Sequence, residues 1–318
     1  TETMKLNYSF NQSVSINQNS SSLQTNLEYV EPSPGYQYDF QDILDLANTY
    51  TQNSYFHTVS WTHTTSPKSF YEIKLNNFFT NLRVDANGRN WDQYEEPFDL
   101  IKAPFEYYYI DSLRTGIIPG NGFYDIGNPF TWHDHYVNEY SAKLDYVHNF
   151  TTKSKLKAGI ETSFQEMQLI DIYQPWIKPF GLNNDVYKVY PSVGDIYGQH
   201  SITFKGMILN YGLRLDYWLP GKYVDDAVKD TNVSTITPET RQAYEDDSFT
   251  IFGRNVKLRL APRVGISHPI TNNQTLFFSY GHFSKRPKPQ FVYAKINPQA
   301  AQSTFQKYGN PNLNPETT

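Results

Sequence analysis

The sequence predicts an all-β protein, an antiparallel transmembrane β-barrel of which about ten long strands are present. Three observations support this fold class. Aromatic residues are abundant, long segments alternate between apolar and polar residues, and the connections between these segments alternate between short turns and long loops.

The composition is rich in aromatic residues without being strongly hydrophobic. Of the 318 residues, 16% are aromatic, including 26 Tyr and 21 Phe, while only 38% are hydrophobic. Disordered chains are poor in aromatic residues, so disorder does not explain this composition. A transmembrane barrel does, because its strands are apolar on one face only and aromatic girdles lie at both membrane interfaces.

Charge, cysteine content and motifs exclude several classes of function. The net charge is −5, so a nucleic acid is not expected as a partner. The sequence contains no cysteine, which excludes disulfides and thiolate metal sites. It also lacks a G-x-S-x-G elbow, a Walker loop and a dinucleotide fingerprint. We therefore expect neither an enzyme nor a bound cofactor.

The clearest period-two alternation covers residues 136–150 and resumes over 155–165, after the polar turn 151–154. These two segments predict a long hairpin. Over 136–150, one face carries Tyr136, Tyr140, Ala142, Leu144, Tyr146 and Phe150, and the other carries Glu139, Ser141, Lys143, Asp145 and Asn149.

The same alternation recurs over 207–217, 256–267 and 276–280. Earlier and less regular segments predict that 4–18 pairs with 22–30 and that 55–64 pairs with 69–80. Strands of ordinary globular proteins have roughly 5–6 residues, whereas a strand that crosses a membrane needs roughly 9–11. Both a soluble sandwich and a barrel alternate, so strand length and the connections must decide between them.

The predicted connections are sorted by length. Short turns fall near 18–22, 64–69, 151–154, 204–207 and 269–273, and long segments at 31–54, 81–134, 170–195, 219–255 and 284–318. Outer-membrane barrels have short periplasmic turns and long extracellular loops. The strict alternation of short turns and long loops predicts that the first strand begins on the extracellular side and that the tenth strand ends there. Such an arrangement is expected of an arc cut from a larger barrel.

Three late segments carry a family resemblance. Residues 256–268, with the core Leu-Ala-Pro-Arg-Val-Gly, and residues 275–281 resemble consecutive strands of TonB-dependent outer-membrane receptors. Gly212-Leu-Arg-Leu-Asp-Tyr217 also resembles a strand of that family. The end of the chain is similar to the extracellular G-N-P-x-L-x-P-E motif of the family, with Asn312 and Asn314 where Asp and Lys are more usual. The matching residues are Gly309, Asn310, Pro311, Leu313, Pro315 and Glu316.

Over 205–318 the resemblance extends to individual sequence motifs. Over 1–204 it is limited to the pattern of strands and connections. It is closest to receptors that often carry a carboxypeptidase-regulatory-like N-terminal domain. It implies that residues 1–318 are part of one barrel domain of about 22 strands, with the plug domain and the closing strands outside this sequence.

The resemblance implies a receptor or transporter of the bacterial outer membrane that takes up a scarce ligand with energy passed through TonB. Its partners would be outer-membrane lipid, TonB and an unknown small ligand such as an iron chelate, a glycan or a peptide. One alternative is a passive porin, or an adhesion or assembly barrel without TonB coupling. A second is a secreted β-sandwich or propeller enzyme.

Two groups of loop residues are candidates for contact with a ligand. Aromatic side chains can stack on sugars or chelate rings, or they can pack on one another and hold a loop shut. The motif Gly309–Glu316 is interpreted mainly as a structural corner, because its Gly, Asn and Pro residues favour turns. The aromatic candidates are Tyr107, Tyr108, Tyr109, Phe123 and Tyr124.

The segment Trp132-His133-Asp134-His135 is the most metal-like in the sequence. In a strand His133 and His135 share a face, and imidazole together with carboxylate suits divalent metals. The sequence shows no third ligand, so no metal site is predicted. The favoured interpretation is a junction between loop and strand with Trp132 and Tyr136 at the membrane interface. Trp132, His133 and His135 remain candidates for ligand contact.

Overall fold

The computed structural model describes residues 3–18, 48–98, 108–111, 116–119, 126–271, 273–296 and 308–318. Helices in this part of the chain are α1 (Lys222–Lys229), α2 (Pro238–Asp246) and α3 (Pro289–Tyr293), with a 3-10 turn at Trp91–Gln93. Its strands are β1 (Met4–Gln18), β2 (Thr49–Ser66), β3 (Ser69–Asp85), β4 (Tyr108–Asp111), β5 (Gly116–Pro119), β6 (Thr131–Thr151), β7 (Ser154–Tyr173), β8 (Leu182–Val189), β9 (Ser192–Phe204), β10 (Met207–Leu219), β11 (Phe249–Ile251), β12 (Arg254–Thr271), β13 (Gln274–Gly281), β14 (Ser284–Lys285) and β15 (Glu316–Thr317).

One antiparallel sheet of eleven strands dominates the described residues. Its order is β1-β2-β3-β6-β7-β9-β10-β12, with β13 and β11 both paired to β12 and the short β8 paired to β7. Within these residues the sheet does not close on itself, so it forms an open arc. None of the helices in the described ranges is long and apolar enough to cross a membrane.

The connections confirm most of the predicted sorting by length. Two-residue turns join β2 to β3, β6 to β7, β9 to β10 and β12 to β13, and they all lie at one end of the sheet. The long connections lie at the other end. There β6 and β7 reach 21 and 20 residues, about twice what a membrane crossing needs. These two strands are therefore longer than a membrane crossing requires.

The described partner of β1 differs from 22–30, the partner predicted from the sequence. β1 pairs with β2 along its whole length, with Met4 opposite His63 and Gln18 opposite Thr49. Segment 22–30 lies outside the described residues. β1 therefore begins at the short-turn end, opposite to the prediction, and the connection after it is long. Alternation marks a strand but does not specify its partner, so it did not predict the pairing of β1 with β2, and the pairing of 4–18 with 22–30 stays a prediction.

The two faces of the sheet differ sharply in polarity. One face carries a row of apolar residues that are directly opposite one another across eight strands, and Leu6 at its edge is 72% exposed. A slip of one residue in any pair would move its side chains to the other face, so this row fixes the register. The row comprises Leu6, Trp61, Ile73, Leu144, Ile160, Ile196, Leu215 and Leu260.

The opposite face carries ionisable residues one position along from that apolar row. We call six residues directly opposite one another the charged row: Lys74, Lys143, Glu161, Asp195, Asp216 and Arg259. A soluble two-layer protein would bury the apolar face against a second layer. No such layer covers the row among the described residues, since Leu144, Ile160, Ile196 and Leu260 are all exposed.

Tyrosine–histidine hydrogen bonds recur on the apolar face. Rings of this kind have an apolar body and a polar edge, so they suit the boundary between membrane and water. The pairs are Tyr8–His57, His63–Tyr71 and His200–Tyr211, each at 2.9 Å, and Tyr280–His282 at 2.6 Å.

The long connections after β10 and β13 fold into a compact unit on the charged face. We call residues 220–248, 289–296 and 309–315 the loop module. Its buried residues include Val224, Tyr244 and Tyr293, which share one core with Val193 and Trp218 of the sheet. Helix α2 begins with Pro238 after Thr237, whose side chain accepts a hydrogen bond from the backbone N–H of Thr240.

Candidate functional site

Arg214 lies at the centre of the charged face. Its Nη2 lies 2.9 Å from Oδ2 of Asp195, and its Nε lies 2.6 Å from Oδ1 of Asp216. Both carboxylates belong to the charged row, and the side chain of Asp195 is only 6% exposed. One guanidinium therefore holds two neighbouring carboxylates that would otherwise repel each other.

A second set of interactions continues across the strands. Nζ of Lys143 lies 3.4 Å from Glu161 and 3.6 Å from Asp145. The hydroxyl of Tyr197 donates a 2.6 Å hydrogen bond to Asp145, and its ring passes over Gly159, where a Cβ would collide with it. The charged face is thus held in place by interactions that cross β6, β7, β9 and β10.

A cavity of about 400 Å³ lies over this face, between the charged row and the loop module. It presents both signs of charge to a ligand. Its charged lining consists of Glu139, Glu161, Asp195, Asp216 and Asp247 together with Arg214, Lys257, Arg259 and Arg286. Among the described residues Arg286 is exposed and forms no ion pair, so its guanidinium is available to an anionic group.

The motif near the end of the chain attaches the loop module to β12. Nζ of Lys257 donates to Oδ1 of Asn312 and of Asn314, and Nη1 of Arg259 donates to the carbonyl oxygen of Pro315 at 3.0 Å. The side-chain amides of both asparagines donate in turn to Asp247. The hydrogen bond from Asn314 and, to a smaller extent, the one from Asn312 lower the pKa of Asp247.

Gly309 allows the motif to pack closely on α3. A Cβ at this position would lie 2.5 Å from the carbonyl oxygen of Val292. The N–H groups of Gly309 and Asn310 donate to the carbonyl oxygens of Ala294 and Phe291, at 2.7 and 2.8 Å. The motif thus forms a corner that borders the cavity through Asn314 and Pro315.

Trp132 does not lie at the exposed interfacial position that the sequence predicts for it. It is 3% exposed and packs with Ala86, Tyr94 and Ile172 under the connection that follows β3. The guanidinium of Arg83 lies 4.2 Å from its ring, and its Nε1 donates to the carbonyl oxygen of Arg89. Trp132 lies near the long-connection end of β6, where the connection after β3 covers its ring.

His133 and His135 lie on the same face as the charged row, near the long-connection end of β6. Asp171 of β7 is directly opposite His133. This carboxylate is the third group that the sequence did not reveal.

The aromatic loop candidates are only partly described. Tyr107, Phe123 and Tyr124 lie outside the described residues. Tyr108 and Tyr109 belong to β4, which forms a small separate sheet with β5. None of the residues described around the 400 Å³ cavity comes from this sheet.

Sequence reasoning missed Asp195, Arg214, Lys257 and Asp247 as site residues. A pattern that could have found them is the presence of charges in the middle of predicted membrane strands, because such charges are costly unless they face a polar interior.

Comparison with known proteins decides what kind of sheet this is. The model of a family described as "Outer membrane protein beta-barrel family" matches residues 131–318, more than half of the chain. The chain belongs to the outer membrane protein β-barrel family. Its location is therefore the bacterial outer membrane. The apolar face meets lipid, the charged face lines the lumen, and the long connections are extracellular while the short turns are periplasmic.

Among solved structures, one similar chain comes from "Structure of the RagAB peptide transporter", with 11% identity and a TM-score of 0.48. The match covers 100% of this chain and 36% of that chain, so this chain spans about a third of its length. No curated protein matches the sequence.

Proposed function

We propose that the intact protein is an outer-membrane receptor and transporter that captures a scarce polar ligand and takes it up with energy passed through TonB. The observation that carries this proposal is the loop module, which folds inward onto the lumenal wall and leaves a charged cavity beneath it. The cavity lies on the lumenal wall, so its charged groups face the path that a ligand would take through the barrel.

The lining of the cavity favours a ligand with hydrogen-bonding groups and charges of both signs. Arg286 offers a guanidinium without an ion-pair partner in the described chain, and Glu139 offers a carboxylate across the cavity. Peptides carry charges of both signs, glycans offer many hydroxyl groups, and carboxylate- or hydroxyl-bearing chelates of iron offer acceptors and negative charge. No step in this function requires bond making by the protein, so we propose transport and not catalysis.

A passive porin or an adhesion or assembly barrel is the alternative function. The wall of an open pore is expected to be in contact with water. Here Trp218 and Val193 on the lumenal face are buried under the loop module. This packing narrows the extracellular mouth, which favours selective capture. The TonB coupling itself rests on the resemblance of residues 205–318 to TonB-dependent receptors, whose plug and TonB box would belong to the intact protein.

Uptake by whole cells tests the proposal. Cells that express the full-length protein receive, in separate assays, a fluorescent oligopeptide, a fluorescent oligosaccharide and a radiolabelled ferric chelate. We expect one of these probes to accumulate, and its accumulation to stop in a strain without TonB or after addition of a protonophore. Accumulation that is unchanged by both treatments would support the passive barrel.

Arg286→Ala provides a variant in the cavity, and Arg263→Ala provides a matched control. Arg263 lies on the same lumenal side of β12 but outside the cavity, where its guanidinium lies 5.0 Å from the ring of Phe283. We expect Arg286→Ala to reduce uptake at low probe concentration and Arg263→Ala to leave it unchanged.

A further inference from the structure

Two imidazoles and one carboxylate converge on the lumenal face near the extracellular ends of β6 and β7. His133 is directly opposite Asp171, and His135 lies two residues along β6 on the same face. One ligand atom from each residue lies within 4.8 Å of the other two. Adjacent strands of a hydrogen-bonded sheet thus hold the three side chains together.

The ring nitrogens of this cluster are not satisfied by the described protein. Nδ1 of His133 lies 2.8 Å from Oδ1 of Asp171, but their approach lacks the geometry of a hydrogen bond. This atom and Nε2 of His135 are both buried and have no hydrogen-bond partner in the described chain. Buried polar atoms without partners are rare in folded proteins, so two in one cluster require an explanation.

We propose that His133, His135 and Asp171 bind a divalent transition-metal ion such as Zn²⁺. One ion would satisfy both nitrogens and the carboxylate together. Imidazole nitrogen favours Zn²⁺, Ni²⁺ and Cu²⁺, whereas Ca²⁺ and Mg²⁺ prefer oxygen ligands alone. Ligand atoms on a tetrahedral zinc ion lie about 3.4 Å apart, given bonds of about 2.1 Å, so rotation of the side chains closes the cluster while the strands stay in place.

The cluster is accessible from the lumen. The side chain of Asp171 is 44% exposed. His135 lines a cavity of about 450 Å³ together with Val137, Met167 and Leu169. Three protein ligands leave at least one position open on a four-coordinate ion. Water or a donor atom from a ligand in the lumen fills that position.

Metal binding is tested on the purified full-length protein in detergent, produced without a polyhistidine tag and stripped with a chelator. Zn²⁺ is titrated in competition with a chromogenic chelator, and Co²⁺ is added separately as a spectroscopic probe. We expect His133→Ala, His135→Ala and Asp171→Asn each to weaken Zn²⁺ binding at this site by at least about tenfold, since removal of a ligand costs no less than removal of its outer-shell partner.

His268→Ala is the matched control, because it removes an imidazole from an exposed position near the periplasmic end of β12. It should bind Zn²⁺ like the wild type. Heat-modifiable migration on gels identifies variants that have folded.

Zn²⁺ titrations that are identical in the wild type and in all folded variants of the cluster would overturn the proposal, as would displacement of Zn²⁺ by millimolar Ca²⁺. The cluster would then be only an ion pair that joins β6 to β7. If the variants fail to fold, the Co²⁺ spectrum of the wild type decides: a visible absorption band of four- or five-coordinate Co²⁺ supports the site, and its absence overturns it. None of these measurements depends on transport, so their result is separate from that of the uptake assay.

Discussion

Lys257 on the lumenal face of β12 is joined to Asp247 at the end of α2 through the side chains of two asparagines. Nζ of Lys257 donates to Oδ1 of Asn312 at 2.8 Å and of Asn314 at 2.9 Å. The amides of the same asparagines donate to Oδ2 of Asp247 at 3.1 and 3.0 Å. The loop module is therefore fixed to the barrel wall by hydrogen bonds that end on one cation and one anion.

This network predicts opposite outcomes for a single and a double substitution. Asn312→Asp keeps an acceptor for Lys257 but replaces the donor to Asp247 with a like charge, so the loop module should loosen. Adding Asn314→Lys supplies an ammonium for Asp247 and should restore it. We expect protease cleavage within 220–248 of the folded protein to be several-fold faster in the single variant and close to wild type in the double variant. Equal cleavage of the two variants would contradict the network.

Two glycines of β9 provide a matched pair for packing on the lipid face. A Cβ on Gly194 would lie 2.2 Å from the carbonyl oxygen of Glu161 and 2.6 Å from the ring of Tyr217, whereas a Cβ on Gly198 meets nothing within 4 Å. Gly194→Ala should lower the free energy of unfolding by about 1–3 kcal/mol. Gly198→Ala should leave it unchanged or raise it by up to about 1 kcal/mol. Urea unfolding followed by tryptophan fluorescence measures both, and equal losses would argue against this register.

Removal of the Arg214 guanidinium should expose the repulsion between Asp195 and Asp216. Arg214→Gln leaves both carboxylates without their shared cation, and Asp195 is nearly buried. We expect a loss of about 2–3 kcal/mol in the free energy of unfolding. Adding Asp195→Asn should recover most of it, because one of the two negative charges is then gone. A double variant no more stable than Arg214→Gln would contradict this pairing.

Asp225 should make the stability of the extracellular loop depend on pH. Burial in α1 raises its pKa, although Tyr244 donates a 2.9 Å hydrogen bond to it and Arg254 and Lys229 oppose the effect. The folded loop therefore binds this proton more tightly than the unfolded chain does. The stabilisation is complete below the pKa of the unfolded state and is lost as the pH rises through the pKa of the folded state.

The measurement compares protease cleavage of the loop in the wild type and in Asp225→Asn at each pH. We expect the ratio of the wild-type rate to the variant rate to fall as the pH decreases from about 7 to about 4, the range just above the ordinary carboxyl pKa. The variant removes the titrating group and corrects for the pH dependence of the protease itself. A ratio that is constant or that rises on acidification would contradict the predicted direction.

The sequence allowed the strands and faces to be predicted because membrane strands must separate apolar from polar side chains. Leu144 and Lys143 fall on opposite faces as expected, and the turn at 151–154 joins the predicted hairpin. The connections were harder to predict. Helices α1 and α2 lie in a segment that the sequence predicts as a loop. Their apolar stripes are short and gain stability only by packing on Trp218 and Val193, so the stripes alone do not indicate helices.

The candidate metal cluster shows why a site can escape sequence reasoning. A regular count from the turn, with Thr151 opposite Ser154, places His133 opposite Ile172. An irregularity between Asn149 and Thr151 shifts the register by one residue and brings Asp171 there. A bulge of this kind changes which residue of β7 lies opposite His133 and which face of the sheet that residue occupies. The alternation of residues does not indicate where a bulge occurs.

The neighbouring residues Lys143 and Leu144 give the most direct test of the account, because a barrel requires one to face the lumen and the other to face lipid. The 318 residues contain no cysteine. Lys143→Cys and Leu144→Cys can therefore each carry the single nitroxide of the full-length protein in liposomes, once any cysteine outside these residues is replaced. We predict that the label at 144 collides mainly with oxygen dissolved in the lipid, and the label at 143 with a water-soluble paramagnetic chelate. A label at 144 that is shielded from both reagents, or that meets the chelate as often as the label at 143 does, would contradict the account.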